Sequence, residues 1–226
     1  MQRTQVFFFH FAGGNSYSFQ FLAPFLKNAD LFPLELPGRG KRYNEQLLTD
    51  FDQAALDLYA QIKKLRSSSR YIIYGHSMGA TLALTVAGML EKDNDAPFHI
   101  IVSGNPGPGV REKKNRYLLN HEDFINELKV LGGMPEEVMA NEELLNFFEP
   151  VLRADFELVE KYDANLNLKI RTPIFAMMGS DENESQRILN WKKHTVAGFD
   201  YAILEGGHFF IHNNAEKVAE VISAKV

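Results

Sequence analysis

Short apolar runs alternate with amphipathic stretches along most of this 226-residue chain. Uninterrupted apolar runs of strand length are typical of parallel strands covered on both faces, whereas a one-sided apolar stripe predicts a helix. Asp50 is placed to cap such a helix, which reaches about Arg66, and Asn213 and Glu216 have capping-box spacing before the last helix. The predicted strands are Val6–Phe9, Leu31–Glu35, Tyr71–Tyr74, His99–Val102, Pro173–Met178 and Asp200–Leu204. The alternation predicts an α/β protein with a mostly parallel, doubly wound sheet and its site at the strand carboxyl ends.

The stretch from residue 110 to residue 169 breaks this alternation, because no strand pattern occurs in it. Asn120 and Asn141 are placed to cap two amphipathic helices, and Pro150 is expected to kink or restart the second one. We therefore predict a single domain over residues 1–226, with residues 110–169 inserted as a helical lid. An ordinary pair of packing helices is the alternative that the pattern leaves open.

One predicted strand runs into Gly75-His76-Ser77-Met78-Gly79, and a helix pattern rich in Ala, Leu and Thr follows. A serine flanked by glycines in this way needs a sharp turn between strand and helix, where side chains at the glycine positions would collide with neighbouring backbone. The turn exposes the serine hydroxyl at a helix N-terminus, which favours developing negative charge. Ser77 is therefore the candidate nucleophile. A chance pentapeptide in a loop is the alternative.

Ser77, Asp181 and His208 follow three different predicted strands in the order nucleophile, acid, histidine. This is the order of an α/β-hydrolase triad, and the carboxyl ends of parallel strands bring such residues to one edge of the sheet. The imidazole would accept the serine proton, and the carboxylate would orient the ring and stabilise its charged form. Glu182 is the alternative acid. Adjacent residues leaving a strand point to opposite sides, and we expect Asp181, nearer the strand tip, to face His208.

An oxyanion hole requires two backbone N–H groups aimed at one point. Met78 follows the nucleophile and supplies the first of them, and Ala12, on the loop after the first strand, is predicted to supply the second. His10 directly precedes that loop, and a structural hydrogen bond is the role expected for it. His208 and His212 would suggest a metal site instead, but no carboxylate cluster accompanies them in the sequence.

Composition narrows the class of protein further. Hydrophobic residues make up 45% and charged residues 23% of the chain, an ordinary globular balance. The chain contains no cysteine, which excludes disulfides, thiolate metal sites and a cysteine nucleophile, and a net charge of -5 argues against nucleic-acid binding. The apolar run Val6–Phe9 is shorter than a signal peptide or a membrane span requires. We expect a cytoplasmic monomer that uses no metal or redox cofactor.

The sequence resembles the type II thioesterases of nonribosomal peptide and polyketide assembly lines, with matching phrases along nearly its whole length. The phrases are Phe11-Ala12-Gly13-Gly14, Pro37-Gly38-Arg39-Gly40, the Gly75–Gly79 elbow, Leu131-Gly132-Gly133-Met134-Pro135, Leu152-Arg153-Ala154-Asp155-Phe156 and Gly206-Gly207-His208-Phe209-Phe210. The phrase that contains Arg153-Ala154-Asp155 is more discriminating than the elbow, which many hydrolases share. The resemblance implies hydrolysis of acyl thioesters from the phosphopantetheine arm of acyl or peptidyl carrier proteins.

Two local departures and two alternative functions accompany this resemblance. The chain reads His10-Phe11 where relatives tend to read Pro-His, and Asp181-Glu182 where they tend to read Asp-Pro. A general small-molecule esterase or acyltransferase would share the triad, and a non-catalytic binding member of the fold is the alternative of another class. The basic residues Arg111, Lys113, Lys114 and Arg116 are interpreted either as a solvated helix start or as a guide for an acidic carrier protein.

Overall fold

Six strands form one sheet in the computed structural model, which describes residues 3–110, 114–132, 134, 136–163 and 165–226. The strands are β1 (Thr4–Phe9), β2 (Ala29–Pro33), β3 (Tyr71–His76), β4 (His99–Ser103), β5 (Ile174–Gly179) and β6 (Phe199–Leu204). Their order in the sheet is β2-β1-β3-β4-β5-β6, and each neighbouring pair is parallel. The predicted parallel α/β architecture is therefore confirmed, and all six strands end at the same edge.

The helices of the described residues lie between these strands and after the last one. They are α1 (Phe51–Leu65), α2 (Met78–Lys92), α3 (His121–Leu131), α4 (Glu136–Met139), α5 (Glu142–Lys161), α6 (Phe210–Asn213) and α7 (Ala215–Ser223), and 3-10 segments lie at Gln20–Leu22, Gly40–Arg42, Arg116–Leu118 and Ser185–His194. None of these helices combines the length and apolarity that a membrane crossing requires.

The inner strands of the sheet are buried on both faces, and β1 shows how the sequence achieves this. Alternate side chains of a strand point to opposite faces. Phe7 and Phe9 pack on the face that carries α1 and α2, whereas Val6 and Phe8 pack on the face that carries α7. All four side chains are almost completely buried. An unbroken apolar run is therefore required here, since no position of β1 faces water.

Three predicted helix starts are confirmed by their caps. The side chains of Asp50, Asn120 and Asn141 each accept a hydrogen bond from the backbone N–H three residues further on, which satisfies a donor that the helix cannot. Of the kink or restart predicted at Pro150, the restart is wrong, because α5 is one continuous helix through that residue, and the kink stays a prediction.

The capping box predicted at Asn213 is also wrong. Asn213 is the last residue of α6, and α7 begins at Ala215 after Asn214. The side chain of Asn214 caps no N–H group and instead donates hydrogen bonds to the carbonyl oxygens of Glu205 and Phe210. Asn213 therefore lies one residue too early to cap α7, and the residue at the cap position uses its side chain for contacts with carbonyl oxygens.

Helices α3, α4 and α5 lie between β4 and β5, where an insertion was predicted. They have an apolar cluster of their own, which includes Phe124, Leu128 and Leu152. Leu158 of α5 joins the main core instead. The insertion is thus continuous with the rest of the core at α5, and its role as a lid stays a prediction. Residues 111–113, 133, 135 and 164, on which some of the quoted phrases fall, lie outside the described part of the chain.

Candidate active site

The elbow between β3 and α2 holds Ser77 in a strained backbone conformation. Ser77 has φ 55° and ψ -110°, in a region that residues other than glycine rarely adopt. A Cβ at Gly75 would lie 2.1 Å from the carbonyl oxygen of Gly79, and a Cβ at Gly79 would lie 2.2 Å from that of Phe9. Both positions therefore require glycine, for the steric reason that the sequence predicted.

Ser77, His208 and Glu182 form a continuous series of hydrogen bonds. The Oγ atom of Ser77 lies 3.0 Å from Nε2 of His208, and Nδ1 of His208 lies 2.8 Å from Oε2 of Glu182. Because a carboxylate only accepts hydrogen bonds, Nδ1 carries the proton and Nε2 is left to accept from the serine hydroxyl. The imidazole is thus held in the tautomer that a general base next to serine requires.

The structure corrects the choice of acid, since Glu182 rather than Asp181 contacts His208. Residues 179–182 form a turn, in which the N–H of Glu182 donates to the carbonyl oxygen of Gly179 and Oε1 of Glu182 accepts from the N–H of Gly179, at 3.2 and 3.0 Å. The turn folds the Glu182 side chain back over the end of β5. Asp181 is exposed, and its carboxylate accepts a hydrogen bond from the Ser180 hydroxyl. Neighbouring side chains do not alternate here as in a strand, because the chain is no longer extended at this point.

The two N–H groups predicted to form the oxyanion hole lie at the positions expected from the sequence. Met78 is the first residue of α2, and Ala12 lies on the loop after β1. No described residue accepts a hydrogen bond from the N–H of either one. Their shared role stays a prediction.

The peptide that carries the Ala12 N–H is fixed by two hydrogen bonds to its other end. The carbonyl oxygen of Phe11 accepts from Nδ1 of His10 at 2.8 Å and from the N–H of Gly14 at 2.9 Å. The Nε2 atom of His10 accepts the N–H of Leu36 at 3.4 Å. His10 is neutral in this arrangement, because its burial lowers its pKa to about 4. The structural hydrogen bond expected for His10 is therefore present.

A second group of side chains supports this loop, and the sequence pattern alone did not indicate it. Arg39 and Asp155 form a buried ion pair, and Asp155 also accepts the N–H of Gly13 at 2.8 Å. Both residues belong to phrases that carry the family resemblance, but no spacing rule connects positions 116 residues apart. Only the packing of the insertion against the sheet brings them together.

Asn105, in the turn after β4, is a further residue of the site that sequence reasoning missed. Its side-chain amide donates to the carbonyl oxygen of Ser77 at 3.0 Å and to the hydroxyl of Thr81 at 3.2 Å, while its backbone carbonyl oxygen accepts from the indole N–H of Trp191. Asn105 therefore links the elbow by hydrogen bonds to the end of the neighbouring strand β4. Its position just after the buried strand β4, at the carboxyl edge of the sheet, was the feature of the sequence that could have indicated a role in the site.

A metal site at His208 and His212 is not formed by the described residues. Among them, no group of three or more histidine and carboxylate side chains is arranged to hold a metal ion. The His212 ring packs instead against Phe21, with the ring centroids 4.5 Å apart, and burial lowers its pKa. His212 is therefore part of an aromatic cluster beside the site.

The basic run at the start of the insertion is only partly described. Arg111 and Lys113 lie outside the described residues. Arg116 forms ion pairs with Glu127 and Glu160, at 2.9 and 2.8 Å, and Lys114 forms one with Glu127 at 3.1 Å. Carboxylates of α3 and α5 therefore already neutralise these two cations.

A parallel sheet whose carboxyl edge carries serine, histidine and carboxylate in a hydrogen-bonded series has the architecture of the α/β-hydrolases. Within that class, residues 4–226 match the model of the thioesterase domain family. This chain belongs to that family.

The relatives agree with this assignment. Gramicidin S biosynthesis protein GrsT of Aneurinibacillus migulanus is 30% identical over 223 residues, which cover 96% of this chain and 87% of GrsT. Among solved structures, the type II thioesterase BorB from the borrelidin biosynthetic cluster has a TM-score of 0.90 at 29% identity, covering 99% of this chain and 93% of BorB. The RedJ thioesterase of the prodiginine pathway in Streptomyces coelicolor has a TM-score of 0.91 at 25% identity, covering 99% and 85%. The predicted resemblance to type II thioesterases is confirmed, and the chain is a hydrolase of thioesters.

Proposed function

We propose that this chain hydrolyses acyl thioesters from the phosphopantetheine arm of carrier proteins, through an acyl intermediate on Ser77. The observation that carries the proposal is the series from Ser77 through His208 to Glu182, with contacts of 3.0 and 2.8 Å. The likeness to GrsT and BorB, described by their roles in peptide and borrelidin biosynthesis, supports carrier-bound acyl groups as substrates.

In the first step, the Ser77 hydroxyl attacks the thioester carbonyl carbon while Nε2 of His208 takes the hydroxyl proton. A bond forms between Oγ and the carbonyl carbon, and the carbonyl π electrons move onto oxygen. The N–H groups of Met78 and Ala12 would stabilise that oxyanion. When the oxyanion collapses, the carbon–sulfur bond breaks and the thiolate leaves, taking the proton from the imidazolium.

In the second step, His208 removes a proton from a water molecule that attacks the acyl-serine carbonyl carbon. The carbon–oxygen bond to Ser77 then breaks, and the imidazolium returns its proton to the serine oxygen. The product is a free carboxylic acid, and the enzyme regains its starting state. Glu182 stabilises the imidazolium in both steps without itself taking a proton. Neither step requires a metal ion or a redox cofactor.

The test is a comparison of kcat/KM for one acyl group presented on a carrier protein, on coenzyme A and on a nitrophenyl ester. We expect the carrier protein to be the best substrate and Ser77→Ala to reduce kcat by about 10⁵-fold or more, because serine and histidine act as a unit. A fluorophosphonate probe should label the parent protein and leave Ser77→Ala unlabelled.

Equal kcat/KM for the carrier protein and coenzyme A would remove the carrier protein from the proposal. A preference for the nitrophenyl ester over both thioesters would favour the small-molecule esterase alternative. Hydrolysis of the thioester at the parental rate by Ser77→Ala would refute the acyl-serine mechanism.

A further inference from the structure

Three distant segments meet at the carboxylate of Asp155. Asp155 lies on α5 and is completely buried. Its Oδ2 atom accepts the backbone N–H of Gly13 at 2.8 Å and contacts Nη1 of Arg39 at 2.5 Å, while Oδ1 contacts Nη2 of Arg39 at 2.8 Å. The helical insertion, the turn after β2 and the loop after β1 are thus joined by one side chain.

The contact with Gly13 acts on the peptide next to the proposed oxyanion donor. The N–H of Gly13 belongs to the peptide that follows Ala12, and the carbonyl of Phe11 belongs to the peptide that precedes it. In a trans peptide the N–H points opposite to the C=O. Because His10 and Gly14 both donate to the Phe11 carbonyl oxygen, the Ala12 N–H is turned to the other side. The bond from Gly13 to Asp155 fixes the second of the two peptides that flank Ala12.

Gly13 also packs directly against the same helix. It has φ +77°, and a Cβ added there would lie 2.5 Å from Cδ2 of Leu152. Leu152 precedes Asp155 on α5 by almost one turn, so the apolar contact and the hydrogen bond come from the same face of the helix. The loop after β1 is therefore held against α5 by both contacts.

Stability alone does not account for the buried pair of Arg39 and Asp155. Removing two charges from water costs several kcal/mol per ion, and well-packed apolar side chains often replace such a pair without loss of stability. Without Arg39, the Asp155 carboxylate would be an unbalanced negative charge beside Gly13, the neighbour of the proposed donor Ala12. That charge would oppose the negative charge that develops on the substrate oxygen. Arg39 cancels that charge and, through its two-pronged contact, leaves Oδ2 aimed at Gly13.

We propose that Asp155, oriented by Arg39, is a positioning residue for the oxyanion hole, which acts by fixing the loop peptide between Ala12 and Gly13. The inference rests on the proposed function, since it assumes that the Ala12 N–H contacts the oxyanion. It assigns to the insertion a part in transition-state stabilisation, separate from any role in covering the site.

The experiment compares two double variants that both remove the ion pair, Arg39→Met/Asp155→Asn and Arg39→Met/Asp155→Leu. Asparagine keeps an oxygen that can accept from the Gly13 N–H, whereas leucine has none. We expect the leucine variant to lose about 10- to 100-fold in kcat with little change in KM, because misplacing one donor weakens only the transition state. The asparagine variant should recover most of that loss.

Inhibitor binding supplies a readout that a merely structural role would not change. A trifluoromethyl ketone forms a tetrahedral oxyanion adduct with the serine, whereas a thioether analogue of the substrate binds without one. The leucine variant should lose affinity for the ketone by about the same factor as its loss of kcat and should keep its affinity for the thioether. Glu160→Gln is the matched control, because it weakens another ion pair of a buried α5 carboxylate, with the partly buried Arg116, away from the loop.

Equal kcat in the two double variants, or an equal loss of ketone and thioether binding, would overturn the inference and leave the proposed function intact. Should the leucine variant fail to fold, Asp155→Asn alone decides, since it keeps the acceptor with almost unchanged shape. It should retain ketone affinity within about threefold, and a loss near 100-fold in a folded Asp155→Asn variant would contradict the assignment. Failure of the parent to hydrolyse any thioester would refute the proposed function instead.

Discussion

The two sides of the proposed oxyanion hole are built in different ways. The elbow that carries Met78 is built from its own strand, turn and helix, with Asn105 of the turn after β4 hydrogen-bonded to it, and its strain is local to Ser77 at φ 55°. The loop that carries Ala12 is held by side chains from far along the chain, including the carboxylate of Asp155. The Met78 donor therefore depends mainly on backbone geometry close in sequence, whereas the Ala12 donor depends on its neighbours His10 and Gly14 and also on the distant Asp155.

Glu35 is a second carboxylate that holds the loop side, because it also accepts hydrogen bonds from backbone N–H groups. Oε1 accepts from Ser16 at 2.9 Å and Oε2 accepts from Lys41 at 2.8 Å, which ties the far end of the loop to the turn after β2. Substitutions in α5 or in that turn should consequently alter the loop while the elbow stays in place. The difference teaches that α5 reaches the chemical centre through the loop, by the hydrogen bond from Gly13 to Asp155.

The acid of the triad, Glu182, is positioned by a local turn of its own after β5, and its variants should give the largest effect. Glu182→Gln should lower kcat by about 10³- to 10⁴-fold, because the amide can hold the wrong tautomer of His208 and does not balance its charge. Asp181→Asn should stay within about twofold of the parent, since the Asp181 carboxylate contacts Ser180 and not His208. Steady-state kinetics on a thioester, with circular dichroism to verify folding, provide the measurement.

The two variants control for each other, because they change neighbouring carboxylates to their amides in the same turn. The assignment of Glu182 fails if Asp181→Asn is the inactive protein and Glu182→Gln stays near parental activity. Equal losses in both would mean that the turn, and not one carboxylate, orients His208.

Replacing a glycine by alanine should lower the unfolding free energy more at the elbow than at the loop after β1. Gly75→Ala places a Cβ 2.1 Å from a backbone oxygen that has no room to move, and we expect a loss of about 3 kcal/mol or more in unfolding free energy. Gly13→Ala meets only the end of the Leu152 side chain and adopts a left-handed φ, so about 1–2 kcal/mol is expected. Urea unfolding of both variants measures the difference.

Leu152→Ala supplies a double-mutant test of the contact between α5 and the loop after β1. Shortening Leu152 removes the atom nearest the new methyl group, so the destabilisation caused by Gly13→Ala should shrink in that background. The same Leu152→Ala change should leave the cost of Gly75→Ala unaltered. If it relieves both glycine variants equally, the elbow and the loop are not independently held.

Most of the strands and the elbow could be predicted from the sequence, because both depend on short-range patterns. The apolar run of β1 reflects burial on both faces of the sheet, and the glycines at Gly75 and Gly79 reflect contacts with backbone close by or on the adjacent strand. His208 was located for the same reason, since it follows β6 after a short loop. Chemistry that depends on a strand end and a short turn is visible in a single sequence.

The remaining features depend on geometry that no short pattern encodes. Glu182 replaced Asp181 because a hydrogen-bonded turn begins at Gly179, which ends the alternation of an extended strand. The position of Asp155 depends on how α5 packs against the loop after β1, across 142 residues of sequence. A single sequence contains both carboxylates but does not show which atoms they contact.

The loop side also depends on a titrating group, His10, which lies at the start of the loop after β1. Burial is the main cause that lowers the pKa of His10 to about 4 from 6.5, and the nearby Arg39 cation adds to it. The Asp155 and Glu35 carboxylates act in the opposite direction and are outweighed. A proton on Nε2 would also displace the hydrogen bond from the N–H of Leu36.

The sign of the pH effect follows from the two pKa values. Between pH 6.5 and 4 the unfolded chain binds a proton at His10 that the folded chain does not, so the His10 contribution is fully present above pH 6.5 and is lost as the pH falls. The shift corresponds to about 3 kcal/mol at the acid end of that range.

His10→Asn keeps a donor near the Phe11 carbonyl and cannot titrate, so its unfolding free energy should fall less steeply between pH 6.5 and 4 than that of the parent. Urea unfolding at half-unit pH steps measures both slopes, and the other histidines cancel because both proteins contain them. Parallel slopes would show that His10 does not couple the loop to pH.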